Sequence, residues 1–308
     1  MKMSRRTFHK TVLAGTAAAV VPLPAQKPGA VRLGGPVFGA PEDPVAWAEE
    51  HVGMGYSAAY CPVKLSDPPE LKRAFVKAAE DAGLVIAEVG AWSNPLSRNE
   101  EERRQALQKN IEALALADEI GAVCAVNIAG SFGEDWAGIH VGNTSREFFD
   151  ACVETTRKII DAVKPKRAFY TLETMPYTIP DSPEVYLELI KAIDRRQFAC
   201  HFDPVNLINS PRRFYTNADF LRECVAMLGP YIKSCHAKDV VLQNKALVHL
   251  DEVRPGLGGL DYKVLLKELA ALPKPVPLMI EHLSTPEEYR QAAEYIRGVG
   301  REVGVKFV

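Results

Sequence analysis

The 308-residue chain is 47% hydrophobic and 25% charged, with a formal net charge of −2. That composition is ordinary for a soluble globular protein and sufficient to bury a sizeable core. The near-neutral balance, without a basic stripe, excludes recognition through a phosphate backbone, so no nucleic-acid partner is expected.

At the amino terminus, Ser4-Arg5-Arg6-Thr7-Phe8-His9-Lys10 precedes an apolar stretch from Thr11 to Val21, and Leu23-Pro24-Ala25 reads as a cleavage site. A charged start, a short apolar middle and a small residue at the end describe an export signal, too short to remain as a bilayer span. The paired arginines followed by Phe and Lys resemble the twin-arginine signal of bacteria. Residues 1–25 are therefore expected to be a signal peptide and the mature protein periplasmic. The resemblance also implies export in the folded state, with any metal loaded beforehand. The six cysteines include no CxxC pair, so buried free thiols are expected. None lies near the signal in a lipobox-like setting, and no stable membrane anchor is expected.

After residue 30, short apolar runs alternate with longer amphipathic ones. In chain order the pattern predicts strands over Val31–Leu33 and Ala58–Cys61, a helix over Glu70–Ala82, a strand over Val85–Val89 and a helix over Glu100–Ile120. A strand over Val123–Ile128 and a helix over Ser145–Val163 follow, then a strand over Phe169–Glu173 and a helix over Pro183–Ile193. The remaining pairs are Phe198–Asp203 with Ala218–Leu228, Ile232–His236 with Tyr262–Ala271, and Leu278–Glu281 with Pro286–Val299. Eight short strands alternating with helices imply parallel pairing through right-handed crossovers, and eight such units match a closed (β/α)₈ TIM barrel. The competing open doubly wound sheet would carry a Gly-rich phosphate loop after its first strand. Leu33-Gly34-Gly35-Pro36 leads into no GxGxxG. One barrel domain is expected over residues 28–308.

In such a barrel, function collects where strands end. Four polar residues terminate apolar runs on the fifth to eighth strands: Glu173, Asp203, His236 and Glu281. One βα unit separates each from the next, which would bring all four around half of the barrel mouth. Three carboxylates converging on a partly buried site repel one another and would be driven to protonate. A divalent cation removes the difficulty and gains three oxygens and an imidazole. That donor set, without thiolate, suits one Mn²⁺, Mg²⁺, Co²⁺ or Zn²⁺ ion. Singly, each residue has a plainer reading, as a helix cap or a satisfied core histidine.

These segments resemble the xylose isomerase-like barrels, the sugar phosphate isomerases and epimerases that include ketose 3-epimerases and inosose dehydratases. The resemblance is most specific in His236-Ala237-Lys238-Asp239, in Arg254-Pro255-Gly256-Leu257-Gly258-Gly259-Leu260-Asp261-Tyr262, and in Met279-Ile280-Glu281-His282. It implies that Glu173, Asp203, His236 and Glu281 hold one divalent ion, Mn²⁺ foremost. It also implies that Glu173 and Glu281 are catalytic, removing and returning a proton on opposite faces of a ketose or keto-sugar through an enediolate. Where the epimerases carry a substrate-binding histidine three residues after the metal aspartate, this chain has Asn206. Arg254 occupies a position like that of an epimerase arginine and is a candidate substrate ligand. His249 is a rival metal ligand placed in a loop.

Other candidates for substrate contact are His201 and Lys238, which share strand faces with Asp203 and His236, Glu88 and Trp92 near the end of the third strand, and Asn127 near the end of the fourth. The Gly-rich stretch from Gly130 to Gly142, with Trp136 and His140, is long enough to act as a lid. Arg212 and Arg213 could meet an anion, or form a solvated pair. The leading expectation is an isomerase or epimerase acting on a small sugar or glycoside, unphosphorylated if the protein is exported. Elimination from a 3-keto-glycoside or inosose, by a dehydratase or lyase, begins with the same proton abstraction. A non-catalytic sugar-binding barrel is the remaining alternative. A DNA-repair nuclease on this barrel would need further histidine ligands. A homodimer is the base-rate assembly.

Overall fold

A computed structural model describes residues 29–39 and 42–308; the expected export signal lies outside them. Eight parallel strands form the barrel wall: Ala30–Gly34 (β1), Ala58–Tyr60 (β2), Val85–Gly90 (β3), Cys124–Asn127 (β4), Phe169–Glu173 (β5), Phe198–Phe202 (β6), Ile232–Ala237 (β7) and Pro277–Ile280 (β10). They neighbour one another in chain order, and β10 pairs with β1 through Leu33↔Leu278 to close the ring. The expected single (β/α)₈ barrel is thus the observed fold. Between β7 and β10, Asp239–Leu242 (β8) and Leu250–Val253 (β9) form an antiparallel hairpin, and Lys306–Phe307 (β11) pairs beside the start of β1.

The helices are Pro44–Gly53 (α1), Pro69–Asp81 (α2), Glu100–Ile120 (α3), Arg146–Val163 (α4), Pro183–Ile193 (α5), Pro204–Leu207 (α6), Pro211–Tyr215 (α7), Asn217–Leu228 (α8), Tyr262–Ala270 (α9) and Pro286–Val303 (α10). Their starts follow local chemistry. Asn99 caps α3 by accepting from the Glu102 N–H, and three glutamates in the first turn complement the helix dipole. Thr285 and Glu288 form a capping box at the start of α10, and Pro286 takes the first helical position. The strands read as nearly continuous apolar runs because both of their faces are buried, against the helices outside and the barrel core inside. All five residues of β6 are buried. Five cysteines are buried and Cys61 is half-buried, all as free thiols. Among the described residues no helix is long and apolar enough to cross a membrane.

Two features set the strand ends that matter for function. The Tyr186 hydroxyl, on α5, reaches between β5 and β6. It can donate to the Leu172 or the Ala199 carbonyl, 3.0 Å away in the second case, and accepts from the N–H groups of Leu172 and His201. Thr174 then ties the two strand ends together: its hydroxyl donates to the Asp203 carbonyl (2.8 Å) and accepts from the Asp203 N–H (3.0 Å). Tyr186→Phe is expected to cost about 1–3 kcal/mol, because fully buried backbone groups lose a partner that water cannot replace. Urea unfolding of the variant against wild type measures it, and no change would deny Tyr186 this anchoring role.

Candidate metal centre at the barrel mouth

Glu173 ends β5, Asp203 follows β6, His236 lies on β7 and Glu281 follows β10, so four strands deliver four polar side chains to one end of the barrel. The expected convergence is present: one ligand atom from each lies within 4.8 Å of those of the other three. His236 Nδ1 is 2.8 Å from Glu281 Oε1, 3.2 Å from Glu173 Oε1 and 3.6 Å from Asp203 Oδ2. Asp203 and His236 are fully buried, and the Glu281 side chain is 13% exposed. Asp203 does two jobs. Its Oδ1 caps the short helix α6, accepting from Val205 and Asn206, while its Oδ2 turns to the cluster. The helix-cap and functional readings of this aspartate therefore describe its two different oxygens.

Lys238 stands among the carboxylates. Its Nζ is 2.7 Å from Glu281 Oε1, 2.9 Å from Asp203 Oδ2, 3.7 Å from Glu252 Oε2 and 3.8 Å from Glu173 Oε1. These are ion-pair distances, yet the angles leave Asp203 Oδ2 and Glu281 Oε1 without a hydrogen bond. Two buried anionic oxygens aimed at a common centre and left unbonded are what a divalent cation would satisfy, so the residues fit a metal of the oxygen- and imidazole-loving kind.

Without an ion, the charges redistribute. Burial would lower Lys238, but Asp203, Glu281, Glu173 and Glu252 hold it above its usual range. Burial likewise opposes the charged form of His236, and Glu281, Glu173 and Glu88 overcome it, raising the imidazole well above its ordinary value. Burial raises Glu173. It would also raise Asp203 and Glu281, but Lys238 and His236 hold Asp203 low, and His236 and Lys238 hold Glu281 low.

A cleft of about 680 Å³ opens above the group, lined by Glu173, Asn206, Lys238, Glu252, Glu281 and His282 on its polar side. Five aromatic residues, Tyr60, Trp92, Trp136, Tyr177 and Tyr289, line much of the rest, beside aliphatic and proline side chains such as Ile128, Met175 and Pro176. Trp92 and Trp136 are 37% and 43% exposed. A hollow of about 790 Å³ opens between the strand starts at Val85, Val123, Ile232 and Pro277. Among the described residues no cluster of metal-ligating side chains lies there.

Of the other residues expected to meet substrate, Asn206 lines the cleft and donates to Glu173 Oε1 (3.1 Å), and Lys238 and Trp92 also reach it. Trp136 lines it from the Gly130–Gly142 stretch, whose His140 instead accepts from the Gly142 N–H. Glu88 and His201 sit deeper in the barrel, 2.9 Å apart, and do not line this cleft. Asn127 is fully buried, and both ends of its amide bond the Ser93 backbone. His249 is exposed in the β8–β9 turn, and the Arg254 guanidinium donates to the Pro255 carbonyl; neither lines the cleft. Arg213 donates to the Leu207 carbonyl and stacks over Phe220. Glu252 and His282 were not anticipated. His282 has a left-handed backbone (φ 58°), unusual for a side chain of this size, and its Nδ1 is 3.2 Å from Glu252 Oε1. Glu252 lies on β9, whose Leu250-Asp251-Glu252-Val253 runs apolar-polar-polar-apolar, so no period-two pattern marks it as a strand.

The hairpin that carries Glu252 is held by one carboxylate. Asp239 Oδ1 accepts from Val240 and Leu260, and its Oδ2 accepts from Gly256 and Gly258. A Cβ on Gly258 would lie 2.3 Å from Asp239 Oδ1, so this turn requires glycine. The Tyr262 hydroxyl donates to the Lys238 carbonyl (2.8 Å). Two of the sequence stretches that carry the resemblance are thus one structural unit.

A family model described as xylose isomerase-like TIM barrel matches residues 47–299. No curated protein matches the chain. Among solved structures, a xylose isomerase-like TIM barrel protein from Mycobacterium smegmatis in complex with magnesium is 17% identical, with a TM-score of 0.64 over 89% of this chain and 97% of that one. An L-ribulose 3-epimerase is 13% identical, with a TM-score of 0.65 over 89% and 95%. A probable 3-DHS dehydratase from Bacillus anthracis is 14% identical, with a TM-score of 0.64 over 87% and 97%. At these identities the likeness is one of fold.

Proposed function

Because this chain belongs to the xylose isomerase-like TIM barrel family, we propose that it is a divalent-metal-dependent isomerase or epimerase acting on a ketose or keto-sugar. The observation that carries this reading is the convergence of Glu173, Asp203, His236 and Glu281 at the floor of an open, aromatic-walled cleft. These four would hold the ion, Mn²⁺ first, with Mg²⁺, Co²⁺ or Zn²⁺ as alternatives. Bound there, the ion supplies Lewis acidity that polarises a carbonyl and makes the neighbouring C–H acidic.

The protein's own side chains do the rest. Glu173 and Glu281 leave strands separated by β6 and β7, so their carboxylates approach the cleft from two sides. One is placed to take the proton from the substrate carbon and the other to return it on the opposite face, which inverts that carbon. Asn206 fixes Glu173 through its amide. The aromatic wall offers a face for the sugar ring and displaces water from it. Lys238 is the only Lys or Arg among the described residues lining the cleft, and the carboxylates already occupy it. That favours an unphosphorylated sugar, consistent with an export signal at residues 1–25 and a periplasmic location.

Lys238 also favours a second reading. Its buried ammonium lies beside Glu281, placed to give a proton to a departing hydroxyl or glycosidic oxygen. Proton abstraction followed by that departure is elimination, the course of a dehydratase or lyase on a 3-keto-glycoside or inosose.

The test is to load the protein with Mn²⁺, measure metal by elemental analysis, and incubate it with ketoses and keto-glycosides in deuterated water. About one ion per chain and deuterium at the carbon beside the carbonyl are expected. The product, an epimer or an unsaturated sugar, tells inversion from elimination. A protein that takes up no metal and exchanges no substrate hydrogen would overturn both readings.

A further inference from the structure

Beneath the four-residue group, the barrel interior holds a second polar layer. Glu88 projects from β3, His201 from β6, and Ser234 and His236 from β7, all of them buried. Glu88 Oε1 accepts from the Ser234 hydroxyl and lies 2.9 Å from His201 Nε2. Its other oxygen, Oε2, faces His236 Nε2 at 3.5 Å, and neither of these two atoms has a hydrogen-bond partner. The opposite nitrogen of the same ring, Nδ1, faces Glu173, Asp203 and Glu281. The His201 ring packs against the His236 ring almost edge-on, with centroids 4.1 Å apart and an interplanar angle of 71°.

Burying a carboxylate in a barrel core carries a desolvation penalty, and a well-packed apolar residue would serve stability as well or better. What the carboxylate adds is an acceptor. An imidazole whose Nε2–H points at a fixed acceptor keeps the lone pair of Nδ1 free for a cation, and its ring cannot turn away. Ser234 and His201 hold Glu88 Oε1, leaving Oε2 turned toward His236. We infer that Glu88 is a positioning residue, which holds His236 with Nδ1 toward the ion that Glu173, Asp203 and Glu281 would share. The inference rests on the metal reading proposed above. Glu88, His201 and His236 also lie close enough together to hold a cation themselves, and the number of ions bound separates that arrangement from this one.

The experiment titrates Zn²⁺ into the full chain and into Glu88→Gln by calorimetry, with circular dichroism to confirm the fold. About one ion per chain is expected in both proteins, bound about 10–100-fold more weakly by the variant. Nitrogen-15 spectra of histidine-labelled, zinc-loaded wild type should show His236 Nε2 protonated and hydrogen-bonded and Nδ1 metal-bound, a signature that a packing role would not produce. Equal affinity in a folded variant overturns the inference, as does zinc on Nε2 or a second ion that Glu88→Gln abolishes. If the variant does not fold, the spectra of the wild type decide alone. A wild type that binds no Zn²⁺ would instead sink the metal reading itself, and this inference with it.

Discussion

Glu281→Gln and Glu173→Gln, each saturated with Mn²⁺, are expected to lose inversion of the substrate carbon by about 10²–10⁴-fold, the usual worth of a positioned acid–base group. Glutamine keeps the shape and one ligating oxygen but cannot carry the proton. The two variants should nevertheless differ from an inert protein. If one carboxylate serves each face, each variant retains the base for one of the two epimers. Each should then exchange that epimer's hydrogen with deuterated water while failing to invert it, and the two variants should prefer opposite epimers. Following deuterium incorporation and epimer ratio together checks this. Inversion at the wild-type rate in either variant would remove that glutamate from the chemistry. Loss of all exchange with both epimers in both variants would mean that neither carboxylate acts without the other and would overturn the assignment of one base to each face.

Lys238→Met should have an effect that depends on the ion. In the metal-free protein, Lys238 is the ammonium closest to Asp203 Oδ2 and Glu281 Oε1, and it is 97% buried as a side chain by its 3% exposure. Removing one partner of such a buried pair costs about 3–5 kcal/mol, because the charges left behind stay desolvated. Part of that cost is relieved by proton uptake on the carboxylates. A divalent ion in the same group would neutralise them directly, so most of the loss should vanish when Mn²⁺ is present. Chemical unfolding of the variant and the wild type, with and without Mn²⁺, gives the comparison. An equal loss in both conditions would mean that Lys238 and the ion do not share the same anions.

The strand ends were legible in the sequence for a physical reason. A barrel strand is buried on both faces, so polar groups are scarce along it and gather toward its loop end. Glu173, Asp203, His236 and Glu281 break apolar runs at that point, and all four reach one centre. The same logic overreached at Asn127, whose position was right but whose amide is consumed by the Ser93 backbone. Side-chain partners of that sort follow from tertiary packing, which no one-dimensional spacing records. His249 and Arg254 stand away from the cleft for another reason. They lie in and after the β8–β9 hairpin, whose first strand, Asp239–Leu242, begins just past β7 behind the charged Lys238-Asp239 pair and stands outside the eight expected strands. Without the hairpin, neither the direction of those side chains nor the approach of Glu252 to Lys238 could be placed. Helix α1 was not singled out either, although Asp43 followed by Pro44 is a start signal: the Asp43 carboxylate accepts from Val45 and Ala46.

The attachment of that hairpin bears on how such a barrel can change its specificity. Four backbone N–H groups, from both sides of the insertion, end on the single carboxylate of Asp239. The excursion from Val240 to Leu260 therefore leaves and returns at the same clamp. A longer, shorter or foreign segment could be grafted between these fixed points without altering the register of β7 against β10, on which the polar cluster depends. One aspartate would then let the rim of the cleft diverge among relatives while the chemistry beneath it stays in place.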